Sequence, residues 1–182
     1  LDPVIREAWV RASASGPLQT GASRTTTGDH PRYRQAEAAI AAFLGEPAAA
    51  FLGTGYLASL AVAQALAGEA THVVLDDAAH ACVRDGATLT GLPVLPFRSG
   101  HADALRRVLG RLPRSARPLV ATDGVRGLQG GMAPLEAYLS ALPTRGWLWV
   151  DDAHGIGTVG AGGRGAVEAL GLGPDPRLIR SL

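Results

Sequence analysis

The chain has 182 residues, 47% of them hydrophobic and 18% charged, with a net charge of +1. That is enough for one domain with a buried core; it excludes a disordered chain, a membrane span, for which no apolar run is long enough, and a nucleic-acid binder, since the basic residues form no stripe. One cysteine, Cys82, forbids an internal disulfide and fits a reducing, cytoplasmic setting.

Residues 1–14 read as a helix with Asp2 as N-cap and Pro3 in the first turn. The N-terminus lacks an initiator Met and the basic-then-apolar plan of a signal peptide, so the chain is expected to start inside a longer protein. Residues 17–30, PLQTGASRTTTGDH, form a polar loop. Residues 31–45 read as a helix begun at Pro31, with Asp29 or His30 near its cap and Gly45 as its stop. AAAFLG (48–53) reads as a short strand and 55–68 as an apolar helix. A strand over 72–77 and a helix over 78–91 follow, then an extended run at 92–97 and a helix over 102–112. The remaining elements are a strand at 118–124, a helix at 133–143, a strand at 146–152, a short helix near 165–172 and another strand from 177. Trp147 and Trp149 alternate on their strand and so share a face.

Short apolar strands alternating with helices predict parallel βαβ units in a three-layer α/β/α sandwich with a mainly parallel sheet. Ligands collect beyond the carboxyl ends of such strands. Four polar segments follow predicted strands: GTGY (53–56), DDAAH (76–80), TDG (122–124) and DDAH (151–154). All four are expected along one edge of the sheet.

Three chemistries suit an apolar strand that ends in DDAH. A magnesium-dependent nucleotidase needs a phosphate loop with lysine, and all 17 basic residues here are arginine. A metal hydrolase using His80, Asp151 and His154 lacks supporting ligand spacing, and no metal is expected. Pyridoxal phosphate needs a carboxylate at its ring nitrogen, a donor at its phenolic oxygen, a ring on its face and backbone amides at its phosphate. Asp151, His154, His80 and GTGY supply these in kind. Asp152 is expected to bond loop amides. Cys82 is expected to be a small buried residue with no base beside it.

Several segments together resemble the α-oxoamine synthases, fold type I pyridoxal phosphate acyltransferases. They are GASRTTTG (21–28), AEAAIAAFLG (36–45), FLGTGYLASLA (51–61), DDAAHACVRDG (76–86), APLEAYL (133–139) and VDDAHGIGTVGAGGRG (150–165). Ser23 before Arg24 points to the biotin-pathway branch, the 8-amino-7-oxononanoate synthases. The resemblance implies condensation of an amino acid with an acyl-CoA or acyl-carrier-protein thioester, with loss of carbon dioxide, in a cytoplasmic homodimer. It implies that Asp151 meets the pyridine nitrogen, His154 the phenolic oxygen and His80 the ring face. Thr54, Gly55 and Tyr56 lie at the phosphate, and Ser23 and Thr25 at the acyl substrate. Residues 1–30 are then an N-terminal helix and substrate-side loop, and 31–182 a partial large domain truncated at both ends.

The sequence departs from that family at several places. Tyr33 replaces a histidine, Ser99-Gly100-His101 replace an H-N-D run, and Arg126 and Gly127 replace an aromatic residue and a serine. The family's catalytic lysine follows the strand that begins at 177, so this chain alone is expected to be inactive. A non-catalytic binding or assembly module of the same fold, and a fold type I aminotransferase, are the alternatives.

Overall fold

The structure, a computed structural model, describes residues 2–14, 16, 21–127 and 130–182. Residues 17–20 of the predicted loop, and 128–129 of the segment that departs from the family pattern, lie outside that range. The chain divides into two units, Leu1–Phe51 and Leu52–Leu182.

The first unit holds α1 (Pro3–Ala14) and α2 (Pro31–Leu44). Asp2 Oδ1 accepts from the Val4 amide at 2.7 Å, the predicted cap. His30 caps α2 by accepting from the Arg32 amide, and Gly45 ends it at φ 73°. Asp29, the other candidate cap, instead pairs with Arg24 and Arg34. Residues 48–53 are not a strand, contrary to the sequence reading. The backbone groups of Phe51 are taken by side chains: its amide donates to Glu37 Oε1 at 2.8 Å, and its carbonyl accepts from Arg24 at 3.0 Å. Arg24 also bonds Glu37 at 2.6 Å and lies over the Tyr33 ring.

The second unit contains α3 (Gly55–Ala67), β1 (His72–Asp76), α4 (Ala81–Leu89), β2 (Val94–Phe97), α5 (Ala102–Leu109), β3 (Pro118–Asp123), α6 (Leu135–Ala141), β4 (Trp147–Asp151), α7 (Ala166–Ala169) and β5 (Leu178–Ser181). The five strands form one parallel sheet in the order β2-β1-β3-β4-β5. Alternation along each strand sorts side chains onto two faces. Val73, Leu75, Leu119, Ala121 and Trp149 pack with Ala63 of α3 and Cys82, Val83 and Ala87 of α4. Val74, Val120, Leu148 and Val150 pack with Leu105 of α5, Leu135 and Tyr138 of α6, and Val167 of α7. Helices cover both faces, as the alternation of elements predicts. Trp147 joins Trp149 on the α3–α4 side. Gly86 lets α4 approach that indole, since a Cβ there would lie 3.0 Å from the Trp149 ring.

The strand order reverses direction between β1 and β3, and crevices for ligands open at such points. Among the described residues no helix is long and apolar enough to cross a membrane.

Candidate active site

The carboxyl ends of β1, β3 and β4 each carry a buried aspartate: Asp76, Asp123 and Asp151. Asp123 and Asp151 are register partners. Isolated buried carboxylates are costly, so each must be hydrogen-bonded. Asp76 accepts from the Thr122 hydroxyl at 2.8 Å, the Ser99 hydroxyl at 3.1 Å and the Ala78 amide at 3.0 Å. Asp123 accepts from the His80 amide at 3.1 Å. Burial pushes the Asp123 carboxyl up to about 6, with the charges of Asp151 and Asp76 adding to the rise and the His80 amide opposing it.

Asp151 has both oxygens occupied. Oδ1 accepts from the Ala153 amide at 3.1 Å as the chain turns off the strand. Oδ2 accepts from Ser59 of α3 at 3.3 Å, Ser181 of β5 at 3.1 Å and the Cys82 thiol of α4 at 3.7 Å. Asp152, fully buried, turns the other way. It accepts from the Ala166 amide at 2.9 Å and pairs with Arg180 at 3.0 Å. Its carboxylate fills the inside of the glycine-rich loop, where a side chain at Gly165 (φ +87°) would collide with it. The amide-bonding role expected of Asp152 is met; the buried Arg180 partner was not anticipated.

His80 and His154 approach edge to face, with ring centroids 6.1 Å apart. His80 also caps α4, its Nδ1 accepting from the Cys82 amide at 3.4 Å. That Nδ1 lies 2.9 Å from Cys82 Sγ. A base therefore does stand beside the cysteine, which corrects the sequence reading. Burial still pushes the thiol up, and the nearby Asp151 charge adds to this, so Cys82 remains a protonated, buried residue. Gly127 faces the same mouth; a Cβ there would lie 3.4 Å from His154 Nε2.

Thr54 caps α3, its Oγ1 accepting from the Leu57 amide at 3.1 Å. The Gly55 and Tyr56 amides precede any intrahelical acceptor and point off the helix start, a ready anion site. This helix start belongs to the same sheet edge: a Cβ at Gly55 would meet the Leu182 carbonyl, just past β5, at 3.2 Å. The Tyr56 hydroxyl donates to Asp85 at 2.9 Å. Thus Thr54, Gly55, Tyr56, His80, Asp151 and His154 share one edge of the second unit. Ser23 and Thr25 lie in the first unit, where their hydroxyls are 2.9 Å apart. Ser59 and Ser181, which donate to Asp151, were missed by sequence reasoning. Ser59 sits in a helix rich in Ala and Leu, where nothing local distinguishes it from a small packing residue. Among the described residues no cluster of His, Cys, Asp and Glu side chains could hold a metal ion.

The family model for aminotransferase class I and II matches residues 3–181. A putative 8-amino-7-oxononanoate synthase of Phenylobacterium zucineum is 43% identical over 99% of this chain and 46% of its own length. The 8-amino-7-oxononanoate synthase of Methylococcus capsulatus is 41% identical, again over 99% of this chain and 47% of its own. The chain thus spans about half the length of the curated relatives it matches. Among solved structures, the serine palmitoyltransferase of Sphingomonas wittichii superposes with a TM-score of 0.88 at 33% identity, covering 94% of this chain and 43% of that one. The 8-amino-7-oxononanoate synthase of Francisella tularensis, at 22% identity and a TM-score of 0.76, shares the fold over 98% of this chain and 47% of its own. By sequence and by fold, the chain belongs to the aminotransferase class I and II family.

Proposed function

We propose that this edge of the sheet holds pyridoxal 5'-phosphate, and that the protein carrying it is a decarboxylating acyltransferase of the 8-amino-7-oxononanoate synthase type, in biotin biosynthesis. The observation behind this reading is the buried Asp151 carboxylate, held by donors on both oxygens at the sheet edge where His80 and His154 approach each other. The donor set fits the cofactor. An anion suits a protonated ring nitrogen, and the free first-turn amides of α3 suit a phosphate. Relatives at about 40% identity carry the synthase name, and a serine palmitoyltransferase structure contains the same cofactor.

When bound, the cofactor supplies an electron sink for negative charge at the amino acid's Cα. Asp151 would hold the proton on the ring nitrogen. His154 would address the phenolic oxygen and His80 the ring face. The Gly55 and Tyr56 amides, with Thr54 shaping the turn, would bind the phosphate. Ser23 and Thr25 would meet the acyl substrate, carried on coenzyme A or an acyl carrier protein. The working form would be a cytoplasmic homodimer.

The test is a titration of the protein, as its gene encodes it, with pyridoxal phosphate, followed by absorbance. Asp151→Asn removes the charge and keeps the shape. It should weaken binding at least ~10-fold, about 1.4 kcal/mol. A folded protein that binds no pyridoxal phosphate would leave the non-catalytic module as the better account.

A further inference from the structure

The proposed site leaves one buried hydrogen-bond chain without a role. Trp149 of β4 is fully buried on the α3–α4 face of the sheet. That layer also holds Val73, Leu75, Leu119, Ala121 and Trp147, and the ring fills the space that Gly86 leaves against α4. Packing accounts for the ring but not for a partner to its N–H. Its N–H donates to Ser181 Oγ at 2.9 Å, and Ser181 Oγ lies 3.1 Å from Asp151 Oδ2.

The direction of this chain follows from the groups in it. An indole N–H can only donate, and an ionised carboxylate can only accept. The hydroxyl between them has one proton, so it accepts from Trp149 and donates to Asp151. Ser181 is the last residue of β5, at the margin of the sheet. Without the indole its hydroxyl would be free to turn elsewhere. With it, a dedicated donor is held on Oδ2 of the one carboxylate the proposed chemistry uses. Ser59 and Cys82 reach the same oxygen at 3.3 and 3.7 Å, longer than Ser181.

We propose that Trp149 is a positioning residue for Asp151. Acting through Ser181, it fixes the carboxylate in one orientation and secures a donor on Oδ2, so that the negative charge stands ready for a cationic ring nitrogen. The inference rests on the reading of Asp151 as the ring's partner.

Two measurements on the protein as its gene encodes it test this. The first uses no cofactor. The Trp149 indole N–H is assigned in a proton–nitrogen NMR spectrum by its loss in Trp149→Phe. It should exchange at least ~10-fold more slowly than that of Trp9, which is 69% exposed. Ser181→Ala should shift the resonance and speed its exchange, while Ser181→Thr, which keeps a hydroxyl, should do neither. An indole indifferent to Ser181→Ala overturns the chain. The second is the dissociation constant for pyridoxal phosphate. Trp149→Phe and Ser181→Ala should each weaken binding about 5-fold, the size of one hydrogen bond. The double variant should be no worse than the weaker single, because both act through one path. Ser181→Thr should restore affinity. Additive losses, or normal affinity in Trp149→Phe alongside weakened Asp151→Asn, overturn the inference and spare the cofactor reading. Unchanged affinity in Asp151→Asn sinks the reading and the inference together. Should Trp149→Phe fail to fold, the Trp149 indole resonance is assigned by elimination from Trp9→Phe and Trp147→Phe, and that resonance with the two Ser181 variants still decides.

Discussion

At the scale of single residues, the site is held in tension by its own charges. Asp123 is 5% exposed and stands between Asp76 and Asp151. Burial first, and those two charges second, raise it from the ordinary 3.8 to about 6. The folded state therefore binds more protons than the unfolded state between about pH 4 and 6. Stability falls as pH rises through that window and is level above it. Asp123→Asn removes the buried charge and retains an acceptor for the His80 amide. It should stabilise the protein at pH 8 by up to ~3 kcal/mol, since each tenfold change in proton affinity is worth about 1.4 kcal/mol. At pH 3.5 the gain should be close to zero. Urea unfolding at the two pH values measures the difference; equal effects at both would show that the carboxylate is not strained in this way.

At the scale of elements, the sequence pattern was legible wherever the signal was local. Asp2, Pro3, Pro31 and Gly45 marked helix ends that the structure reproduces. The strands at β1, β3 and β4 follow from apolar runs closed by aspartates. In residues 48–53 the strand reading failed, and there Arg24 and Glu37, both far off in the chain, take the Phe51 carbonyl and amide that a strand would have paired. The loop after β4 shows the same limit. Its glycines were visible, but not that they wrap a buried ion pair between Asp152 and Arg180. Asp152→Ala should cost about 3–5 kcal/mol, the range for removing one partner of a buried pair. The loss should appear as a lower urea midpoint with an unchanged slope. A cost below ~1 kcal/mol would mean the loop stands without its central carboxylate.

At the scale of the whole molecule, the sandwich brings residues from four sequence regions to one rim of a parallel sheet. For three of them the convergence was legible because parallel strands all deliver their carboxyl ends to the same side, whereas GTGY follows no strand and reaches the rim as the start of α3. What was not legible is the layer beneath the rim. Ser59, Cys82 and Ser181 meet at Asp151 only after α3, α4 and β5 have packed around β4. That layer also contains the chain's one sulfhydryl, 6% exposed. A thiol-reactive dye can reach it only when α4 lifts from the sheet. The labelling rate is thus a native clock for opening of the rim, readable without introducing any probe. In the folded protein it should run at least ~100-fold slower than in urea-unfolded chain. It should slow again when pyridoxal phosphate is added, as binding to the closed form draws the equilibrium toward it. A rate equal to that of unfolded chain would mean that α4 is not seated on the sheet for most of the time.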